Sequence, residues 1–311
     1  MRIVQVGDVA GVAGALTRAL APYADVVNLP MPQAGARWPG FLKPFAVPLR
    51  LLAAARVARA VRRLRPDVVH IHWAPNGIVG VLARRPYVLH AHGDDVRALN
   101  LWRRLAFRWL IDRAALIVYS TPDLARYVDG RWLPNPVWPV EPRPDARDVV
   151  LSRPDPSHGR PIAFEAVRLL QGRVRVDVVG PEDVPDGVDV GAIEPMSHEA
   201  FVELIASYRV VWGQFRGATP GLTELEAMSA GRPVIAWFAP EWNSWYGGPP
   251  PLIATRDPAV IASETLRLLA DPGGCRALGS AARDFVRRWH DPDVVARRLL
   301  DLYESSLGVR R

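Results

Sequence analysis

Two carboxylates stand where a helix is expected to begin, late in the chain. Residues 217–237 read GATPGLTELEAMSAGRPVIAW, with Glu224 and Glu226 two positions apart. The apolar run before this stretch predicts a buried strand, the glycines predict a turn, and the segment at 222–230 is typical of a helix. Both glutamates would complement the positive end of such a helix, and that role alone could account for either of them.

The same stretch could also bind a phosphorylated ligand. The first N–H groups of a helix have no partner within it and lie at its positive end, so we expect Gly221, Leu222 and Thr223 to bind an anion such as a phosphate. Glu226, one turn further along, has the reach to accept paired hydrogen bonds from vicinal hydroxyls such as those of a ribose. The stretch could therefore bind both a phosphate and a ribose.

A second group of polar residues closes a predicted strand in the first half, in YVLHAHGDDVR at 87–97. The two-residue period of a strand places His90 and His92 on one face, with His92 at the carboxyl end beside Asp94. We interpret His90 as a core histidine. A metal site made of His90, His92 and Asp94 is the alternative, but neighbouring histidines on one strand without a distant third ligand are a weak metal signal.

The first loop, GDVAGVAG at 7–14, contains three glycines. Their spacing is not the G-x-G-x-x-G of dinucleotide binding, and the next predicted strand offers Asn28 near its end rather than an acid, which argues against a nicotinamide enzyme. Gly11 and Gly14 are candidates for contact with a phosphate or an acceptor. A tight turn between a strand and a helix would also explain them.

The elements that must position these residues alternate along the whole chain. Strands are predicted at 2–6, 25–29, 67–73, 87–92, 115–120, 148–152, 174–180, 209–215 and 233–237. Helical patterns lie between them, and helices alone follow from Pro258. This order predicts an α/β fold with two doubly wound parallel sheets, which bind ligands at the carboxyl ends of their strands.

Prolines mark the expected division of the chain. The stretch at 133–147, LPNPVWPVEPRPDAR, breaks the alternation because proline ends helices and is excluded from central strands. We therefore predict two Rossmann-like domains facing a cleft. Residues 1–140 would form an acceptor-binding domain and 141–311 a donor-binding domain, with the last helix free to pack back on the first.

The stretch at 217–237 resembles the signature of GT-B glycosyltransferases of glycosyltransferase family 4, in which Gly-Leu-x-x-x-Glu-Ala-Met precedes Gly-x-Pro-Val-Ile. The resemblance implies that Glu226 holds the ribose of a nucleotide sugar. The family has another glutamate earlier in the motif, separated from this one by seven residues, that contacts the transferred sugar. Ala218 occupies that position here, so sugar recognition does not carry over.

Other segments extend the resemblance in chain order. LSRPDPSHG at 151–159 is similar to the family's Gly-Arg-Leu-x-x-x-Lys-Gly, whose basic residues neutralise the donor diphosphate. Arg153 matches the arginine, while His158 replaces the lysine. By the same resemblance His92 and Asp94 are the catalytic candidates beside the sugar, and the proton of the acceptor would pass to Asp94 or to the diphosphate itself.

The resemblance implies a glycosyltransferase that moves a sugar from a nucleoside diphosphate sugar to a glycan, lipid-linked or small-molecule acceptor with retention. We expect no cofactor and no metal, because Asp291-Pro292-Asp293 is the only Asp-x-Asp and its place before a helix is typical of a cap. The alternative is an inactive protein of GT-B shape that binds a nucleotide or a membrane.

Composition limits the partners and the compartment. The single cysteine, Cys275, excludes a disulfide framework and suits a cytoplasmic location, and the first residues are typical of a strand rather than a signal peptide. Residues 1–145 contain 20 basic against 10 acidic residues. This surplus favours an anionic partner for the first half, although the sequence contains no nucleic-acid recognition module.

One basic segment, at 37–65, also carries exposed-looking aromatic residues. It has seven basic residues from Lys43 to Arg65 and no acid, and apolar residues including Leu49 and Leu52 recur at helical spacing, which predicts a helix packed on the sheet. Trp38, Phe41 and Phe45 fit no such helix. With the run LWRRLAFRWL at 101–110, they predict peripheral membrane contact.

Overall fold

The computed structural model describes residues 1–35, 38–97, 101–145, 147–151, 158–170, 172–180 and 184–309. The chain divides into two compact units. The N-terminal unit consists of Met1–Pro136 with Pro292–Arg311, and the C-terminal unit is Val137–Asp291. The division therefore falls after Pro136, four residues before the boundary expected from the prolines, and the last helix lies in the N-terminal unit.

The N-terminal unit is built on a six-stranded parallel sheet with the order β2-β1-β3-β4-β5-β6. Its strands are β1 (Arg2–Val6), β2 (Asp25–Leu29), β3 (Val68–His72), β4 (Val88–Ala91), β5 (Leu116–Tyr119) and β6 (Arg131–Trp132). Its helices are α1 (Val12–Leu20), α2 (Val47–Leu64), α3 (Ile78–Ala83), α4 (Asp94–Arg97), α5 (Leu101–Ile111) and α11 (Pro292–Leu307). Strands β3 and β4 are buried along their whole length, which is typical of a parallel sheet covered on both faces.

The C-terminal unit repeats this plan with the sheet order β12-β11-β10-β7-β8-β9, again parallel. Its strands are β7 (Arg147–Leu151), β8 (Val176–Val179), β9 (Gly191–Ile193), β10 (Tyr208–Trp212), β11 (Val234–Ala236) and β12 (Ile253–Ala254). Its helices are α6 (Arg160–Leu170), α7 (His198–Ile205), α8 (Leu222–Ser229), α9 (Pro258–Ala270) and α10 (Pro272–Trp289). Apolar side chains from β7, β10, α6 and α9 form its core.

The predicted fold class, an α/β chain with two doubly wound parallel sheets, is confirmed. All nine predicted strands are present, with ends within three residues of the predicted ones. The sequence did not predict β6, β9 and β12, which are edge strands of two or three residues. So short a run carries no alternation of apolar and polar residues from which a strand could be recognised.

Helix α2 differs from its predicted packing. Its buried residues are Ala53, Ala54, Ala58 and Val61. Leu49 and Leu52, which the helical pattern assigned to the packed stripe, are about half exposed. The small alanines allow a close approach to the neighbouring elements, so the leucines of the first two turns remain in solvent.

A buried carboxylate ties the central strands of the C-terminal sheet together. Asp177 on β8 is 2 % exposed and accepts hydrogen bonds from Arg147 (3.1 Å), Arg175 (2.9 Å) and the Tyr208 hydroxyl (2.7 Å). Burial acts to raise the pKa of Asp177, but these donors outweigh it and the pKa is lowered. The charged carboxylate therefore stabilises the pairing of β7, β8 and β10.

Asp177→Asn should lower the free energy of unfolding by about 2 kcal/mol, because the amide replaces a charged acceptor of three hydrogen bonds. Since the folded carboxyl has the lower pKa, its contribution is present above about pH 4 and is lost as the pH falls further. Urea unfolding at pH 7 measures the difference. The matched control is Asp148→Asn, whose half-exposed carboxylate lies 3.6 Å from Arg209 and should matter by less than about 1 kcal/mol. Equal effects of the two substitutions would contradict this account.

Candidate functional site

The first loop of the N-terminal unit connects β1 to α1 through glycines with left-handed backbone angles. Gly7 and Gly11 both have φ of +77°. A Cβ atom on Gly7 would lie 2.8 Å from the Asn76 side chain, so this glycine permits a close approach to the residues after β3. Gly11 is the N-cap residue of α1, and open space surrounds it. Gly14 lies inside α1, where a Cβ atom would make only an ordinary contact with Asp8.

The loop after β4 is held by a buried acid. Asp95 is 2 % exposed, and its carboxylate accepts hydrogen bonds from the backbone N–H groups of His92 (3.1 Å), Gly93 (2.8 Å) and Ala74 (3.0 Å). Burial raises the pKa of Asp95, and these backbone donors oppose the rise. By the sequence resemblance Asp94 is a catalytic candidate of this loop, and the structure places it at the first position of α4.

Four histidines fill one face of the sheet at β3 and β4. The rings of His90 and His92 stack with their centroids 4.2 Å apart, as the strand period predicts. His70 and His72 on β3 lie beside them, and the His72 ring is stacked 5.2 Å from the His92 ring. His70, His72 and His90 are completely buried.

These histidines form two hydrogen-bonded chains. In one, His72 Nδ1 lies 3.0 Å from His92 Nε2, and His72 Nε2 lies 2.8 Å from Gln5 Oε1. In the other, His70 Nδ1 lies 2.6 Å from the Tyr303 hydroxyl and His70 Nε2 lies 3.1 Å from His90 Nδ1. His90 Nε2, although buried, has no hydrogen-bond partner. The burial of His90 agrees with its interpretation as a core residue. Of its two ring nitrogens, however, only Nδ1 has the hydrogen bond expected of a satisfied core histidine.

Among the described residues, one group has ligand atoms close enough together to be considered as a metal site. It consists of the three fully buried histidines, His70, His72 and His90. Those atoms lie up to 4.8 Å apart. Ligands of a tetrahedral zinc with bonds near 2.0–2.1 Å are separated by about 3.3 Å, so the three rings would have to close in. The nitrogens that face one another are also occupied by hydrogen bonds within the cluster. The arrangement fits a metal poorly.

Burial keeps the cluster neutral. It lowers the pKa of His70 to about 3 and the pKa values of His72 and His90 well below their usual range, and the neighbouring imidazoles lower them further. Burial against the other rings lowers the pKa of His92 to about 3 as well. At neutral pH His92 can therefore donate one hydrogen bond and accept another, but it brings no positive charge to a phosphate.

In the C-terminal unit, Glu224 closes the glycine-rich loop at 213–221. Its Oε1 accepts from the Gln214 N–H (2.6 Å) and its Oε2 accepts from the Gly221 N–H (2.9 Å). A Cβ atom on Gly213 would lie 2.4 Å from the Glu224 side chain, so glycine is needed there to admit the carboxylate. The sequence assigned Glu224 only to the helix dipole. The structure shows that it joins both ends of the loop in front of α8.

Glu226, the predicted ribose ligand, lies two residues further into α8 and is 8 % exposed. Its Oε1 is 2.8 Å from Nε2 of His198, the first residue of α7, whose side chain is 61 % exposed. The sequence did not single out His198. A histidine that follows a Ser cap at the start of a helix resembles any surface residue, and only the fold brings it beside Glu226.

The structure brings His158 and the glycine-rich loop together. The His158 carbonyl accepts a hydrogen bond from the Phe215 N–H (2.7 Å), and Gly159, with φ of +92°, packs against the Phe215 backbone. Arg153, the other predicted diphosphate ligand, lies outside the described residues. The predicted donor residues His158, Gly221, Leu222, Thr223 and Glu226 thus surround one loop and the start of one helix.

The loop after β11 is anchored by its aromatic residues. Trp242 and Tyr246 are both 6 % exposed in the 3₁₀ turn Pro240–Tyr246. The Tyr246 ring contacts the rings of Phe238, Phe285 and Trp289. Their burial, and the ring contacts of Tyr246, favour a structural role for both residues.

Comparison of the whole chain with solved structures identifies its fold. Anabaena HepE in complex with UDP-glucose is 18 % identical and superposes with a TM-score of 0.72, covering 98 % of this chain and all of the other. Sucrose-phosphate synthase from Thermosynechococcus elongatus is 18 % identical with a TM-score of 0.74, covering 99 % of this chain and all of the other. The chain shares the GT-B fold of these structures, which confirms the fold that the sequence resemblance implies.

Within that class, residues 8–142 match the family described as "Glycosyl transferase 4-like domain". Among curated proteins, the Acidovorax sp. UDP-N-acetylglucosamine--N-acetylmuramyl-(pentapeptide) pyrophosphoryl-undecaprenol N-acetylglucosamine transferase is 33 % identical over 44 % of this chain and 34 % of its own length. The Burkholderia pseudomallei protein of the same name is 30 % identical over 58 % of this chain and 42 % of its own length. The chain thus spans between a third and a half of the curated relatives it matches.

The neutral histidine cluster predicts that the protein loses stability in mild acid. An unfolded histidine has a pKa near 6.5, above the folded values, so the unfolded state takes up protons first as the pH falls below about 6.5. Each buried histidine should then lower the free energy of unfolding by about 1.4 kcal/mol for each pH unit. Chemical unfolding between pH 7 and 5 measures this slope, and His90→Leu should reduce it by nearly one proton. Val118→Ala, at a buried aliphatic position on β5, is the control.

The control should lower stability by about 1–2 kcal/mol at every pH while leaving the slope intact. A slope that is the same in His90→Leu and the unsubstituted protein would show that His90 is not held neutral.

Proposed function

We propose that the protein is a glycosyltransferase that transfers a sugar from a uridine diphosphate sugar to a lipid-linked acceptor. The observation that carries the proposal is the loop at 213–221, which Glu224 fixes in front of α8. This clamp leaves the first N–H groups of the helix, at Leu222 and Thr223, preorganised for a diphosphate. The names of HepE in complex with UDP-glucose and of the UDP-N-acetylglucosamine transferases support uridine as the base.

In this proposal the C-terminal unit holds the donor. Glu226 accepts hydrogen bonds from the ribose hydroxyls, and His198 orients its carboxylate from 2.8 Å away. His158 and Arg153 bind and stabilise the leaving diphosphate, as the sequence resemblance implies. Because fixed N–H groups and Arg153 stabilise the developing charge, the reaction needs no bound metal ion.

The proposed chemistry retains the anomeric configuration, as the resemblance to family 4 implies. His92 contacts the transferred sugar, and Asp94 or the diphosphate accepts the proton of the acceptor hydroxyl. Gly11 and Gly14 belong to the loop through which the acceptor or a phosphate approaches. Ala218, in place of the family's first glutamate, leaves the choice of sugar to other contacts.

UDP should raise the melting temperature of the protein, and Glu226→Ala should weaken UDP binding about 10- to 100-fold, because two charge-assisted hydrogen bonds to the ribose are lost. Calorimetric titration measures the affinity. Glu165→Ala, at an exposed glutamate on α6, is the control and should bind UDP as tightly as the unsubstituted protein. Glu224→Ala should instead lower the melting temperature without UDP, because the loop is no longer closed.

The nucleotide 2′-deoxy-UDP provides the second arm of this test. It should bind the unsubstituted protein more weakly than UDP does, and Glu226→Ala should no longer distinguish the two. Equal affinity of Glu226→Ala and the unsubstituted protein for UDP would remove Glu226 from the site. Tight UDP binding without sugar transfer from any UDP-sugar would favour the inactive alternative.

A lipid-linked acceptor agrees with the surface of the N-terminal unit. We define the aromatic-basic surface as the exposed apolar residues at 38–52 together with the arginines of α2. Phe41 is 76 % exposed and Phe45 is 70 % exposed. The arginines at positions 50, 56, 59, 62 and 63 are exposed as well.

This composition suits an anionic bilayer, where aromatic side chains enter the interface and arginines lie among the head groups. Leu105 and Trp109 on α5 are also exposed and extend the same character. No helix within the described ranges is long and apolar enough to cross a membrane. The undecaprenol in the names of the curated relatives supports the proposal of peripheral contact.

Sedimentation with vesicles tests the aromatic-basic surface. The protein should bind vesicles that contain phosphatidylglycerol and should be released by salt. The double variant Arg59→Glu with Arg63→Glu should lower the partition coefficient by tenfold or more, since each arginine contributes about 1 kcal/mol near an anionic surface. Phe41→Ser with Phe45→Ser should weaken binding in high salt. Leu169→Ser, at an exposed apolar residue of the C-terminal unit, is the control. Unchanged binding of both double variants would exclude this surface.

A further inference from the structure

A continuous chain of hydrogen bonds leads from the backbone of α1 to the candidate catalytic histidine. The Thr17 hydroxyl lies 2.8 Å from the Ala13 carbonyl oxygen, and Gln5 Nε2 lies 3.0 Å from Thr17 Oγ1. Gln5 Oε1 lies 2.8 Å from His72 Nε2, and His72 Nδ1 lies 3.0 Å from His92 Nε2. Gln5 and His72 are 1 % and 0 % exposed, so water does not compete for the bond between them.

The direction of every bond in this chain follows from its first member. The Ala13 carbonyl can only accept, and the Thr17 hydroxyl has a single hydrogen to donate. The second neighbour of that hydroxyl, Asn28 Oδ1 at 2.9 Å, is also an acceptor. The Thr17 hydroxyl therefore donates its hydrogen to one of these two acceptors and accepts a hydrogen bond from Gln5. The amide nitrogen of Gln5 must then face Thr17.

The orientation of Gln5 then fixes both imidazoles. Its carbonyl oxygen faces His72 Nε2, so that nitrogen must carry the hydrogen. A neutral imidazole has only one N–H group, so His72 Nδ1 is a bare acceptor and receives the hydrogen of His92 Nε2. The remaining nitrogen of His92, Nδ1, has no hydrogen.

We infer that His72, oriented by Gln5 and Thr17, is a positioning residue that holds His92 in the tautomer protonated on Nε2. His92 then presents Nδ1 as a bare acceptor, which suits an O–H or N–H donor of the substrate and does not suit a phosphate oxygen. The role of His92 at the substrate rests on the proposed function. The tautomer itself follows from the hydrogen bonds of two neutral imidazoles and does not depend on the reaction.

The second histidine chain supplies a control within the same sheet face. His70 hydrogen-bonds to Tyr303 and to His90, and among these described residues no hydrogen bond joins that chain to His72 or His92. Tyr303→Phe removes the hydroxyl from that chain. It should leave the tautomer of His92 unchanged, even if it lowers stability.

The test is a long-range ¹H–¹⁵N correlation spectrum of the full chain labelled on histidine, in which a protonated nitrogen is distinguished from a bare one by its chemical shift. The chain has only seven histidines, and loss of one set of signals in His92→Gln assigns His92. We expect Nε2 of His92 to be protonated and Nδ1 to be bare. The opposite pattern in the unsubstituted protein overturns the inference.

Substitutions at Thr17 test the cause. Thr17→Val keeps the shape but removes the hydroxyl, which frees Gln5 to rotate, so both tautomers of His92 should appear. Thr17→Ser keeps the hydroxyl and should retain the single tautomer. Gln5→Leu should mix the tautomers of His92 in the same way. It replaces Thr17→Val in this test if that variant does not fold. A single tautomer in both Thr17→Val and Gln5→Leu overturns the inference.

Kinetics connect the tautomer to turnover and separate it from the proposed function. Thr17→Val should lower kcat about two- to tenfold, because a share of the molecules presents the wrong nitrogen, while UDP affinity stays unchanged. If the unsubstituted protein transfers no sugar, the proposed function fails, and the spectra still decide the tautomer. If transfer proceeds and Thr17→Val turns over normally despite mixed tautomers, His72 has no positioning role in the reaction.

Discussion

The candidate donor site depends on one carboxylate that accepts two backbone hydrogen bonds. Glu224 joins Gln214 at the end of β10 to Gly221 at the start of α8, and the missing side chain of Gly213 leaves room for it. Without this closure the loop of small residues would sample many conformations, because glycine loses more freedom on ordering than any other residue. The N–H groups of α8 are fixed in direction because the loop before them is fixed.

In the N-terminal unit a different acid fixes a loop in the same way. Asp95 joins the backbone of His92 and Gly93 to that of Ala74, and so fixes the residues that follow β4. In each unit an acid in the first turn of the helix that follows a strand accepts hydrogen bonds from backbone N–H groups, and a neighbouring residue is left for a ligand. Glu226 stands two positions from Glu224, and His92 stands three positions from Asp95. The acids that fix the loops are therefore different from the residues proposed for binding.

This pairing explains what the sequence could predict. Short apolar runs rich in β-branched residues and bounded by turn residues, such as the one ending in His72, favour buried strands, so the order of the elements and the α/β fold could be inferred from them. The roles of Glu224 and Asp95 could not, because a carboxylate near a strand end has the same sequence signature whether it binds backbone or ligand. His198 and the edge strand Ile253–Ala254 depend on contacts between residues far apart in the chain. Local pattern carries no information about such contacts.

The polar interior of the N-terminal sheet has a physical cost that the hydrogen bonds only partly offset. Burying an imidazole is tolerable when its nitrogens are paired, and replacing paired polar groups with aliphatic ones of similar shape can be nearly neutral in stability. His90 Nε2 is buried without a partner, which is unfavourable. Stability alone therefore gives little reason for four histidines on one face. The hydrogen-bond chain that begins at the Ala13 carbonyl has a different consequence. Because that carbonyl can only accept, the donor and acceptor of each later bond are fixed as far as His92, and so is the nitrogen that carries its hydrogen.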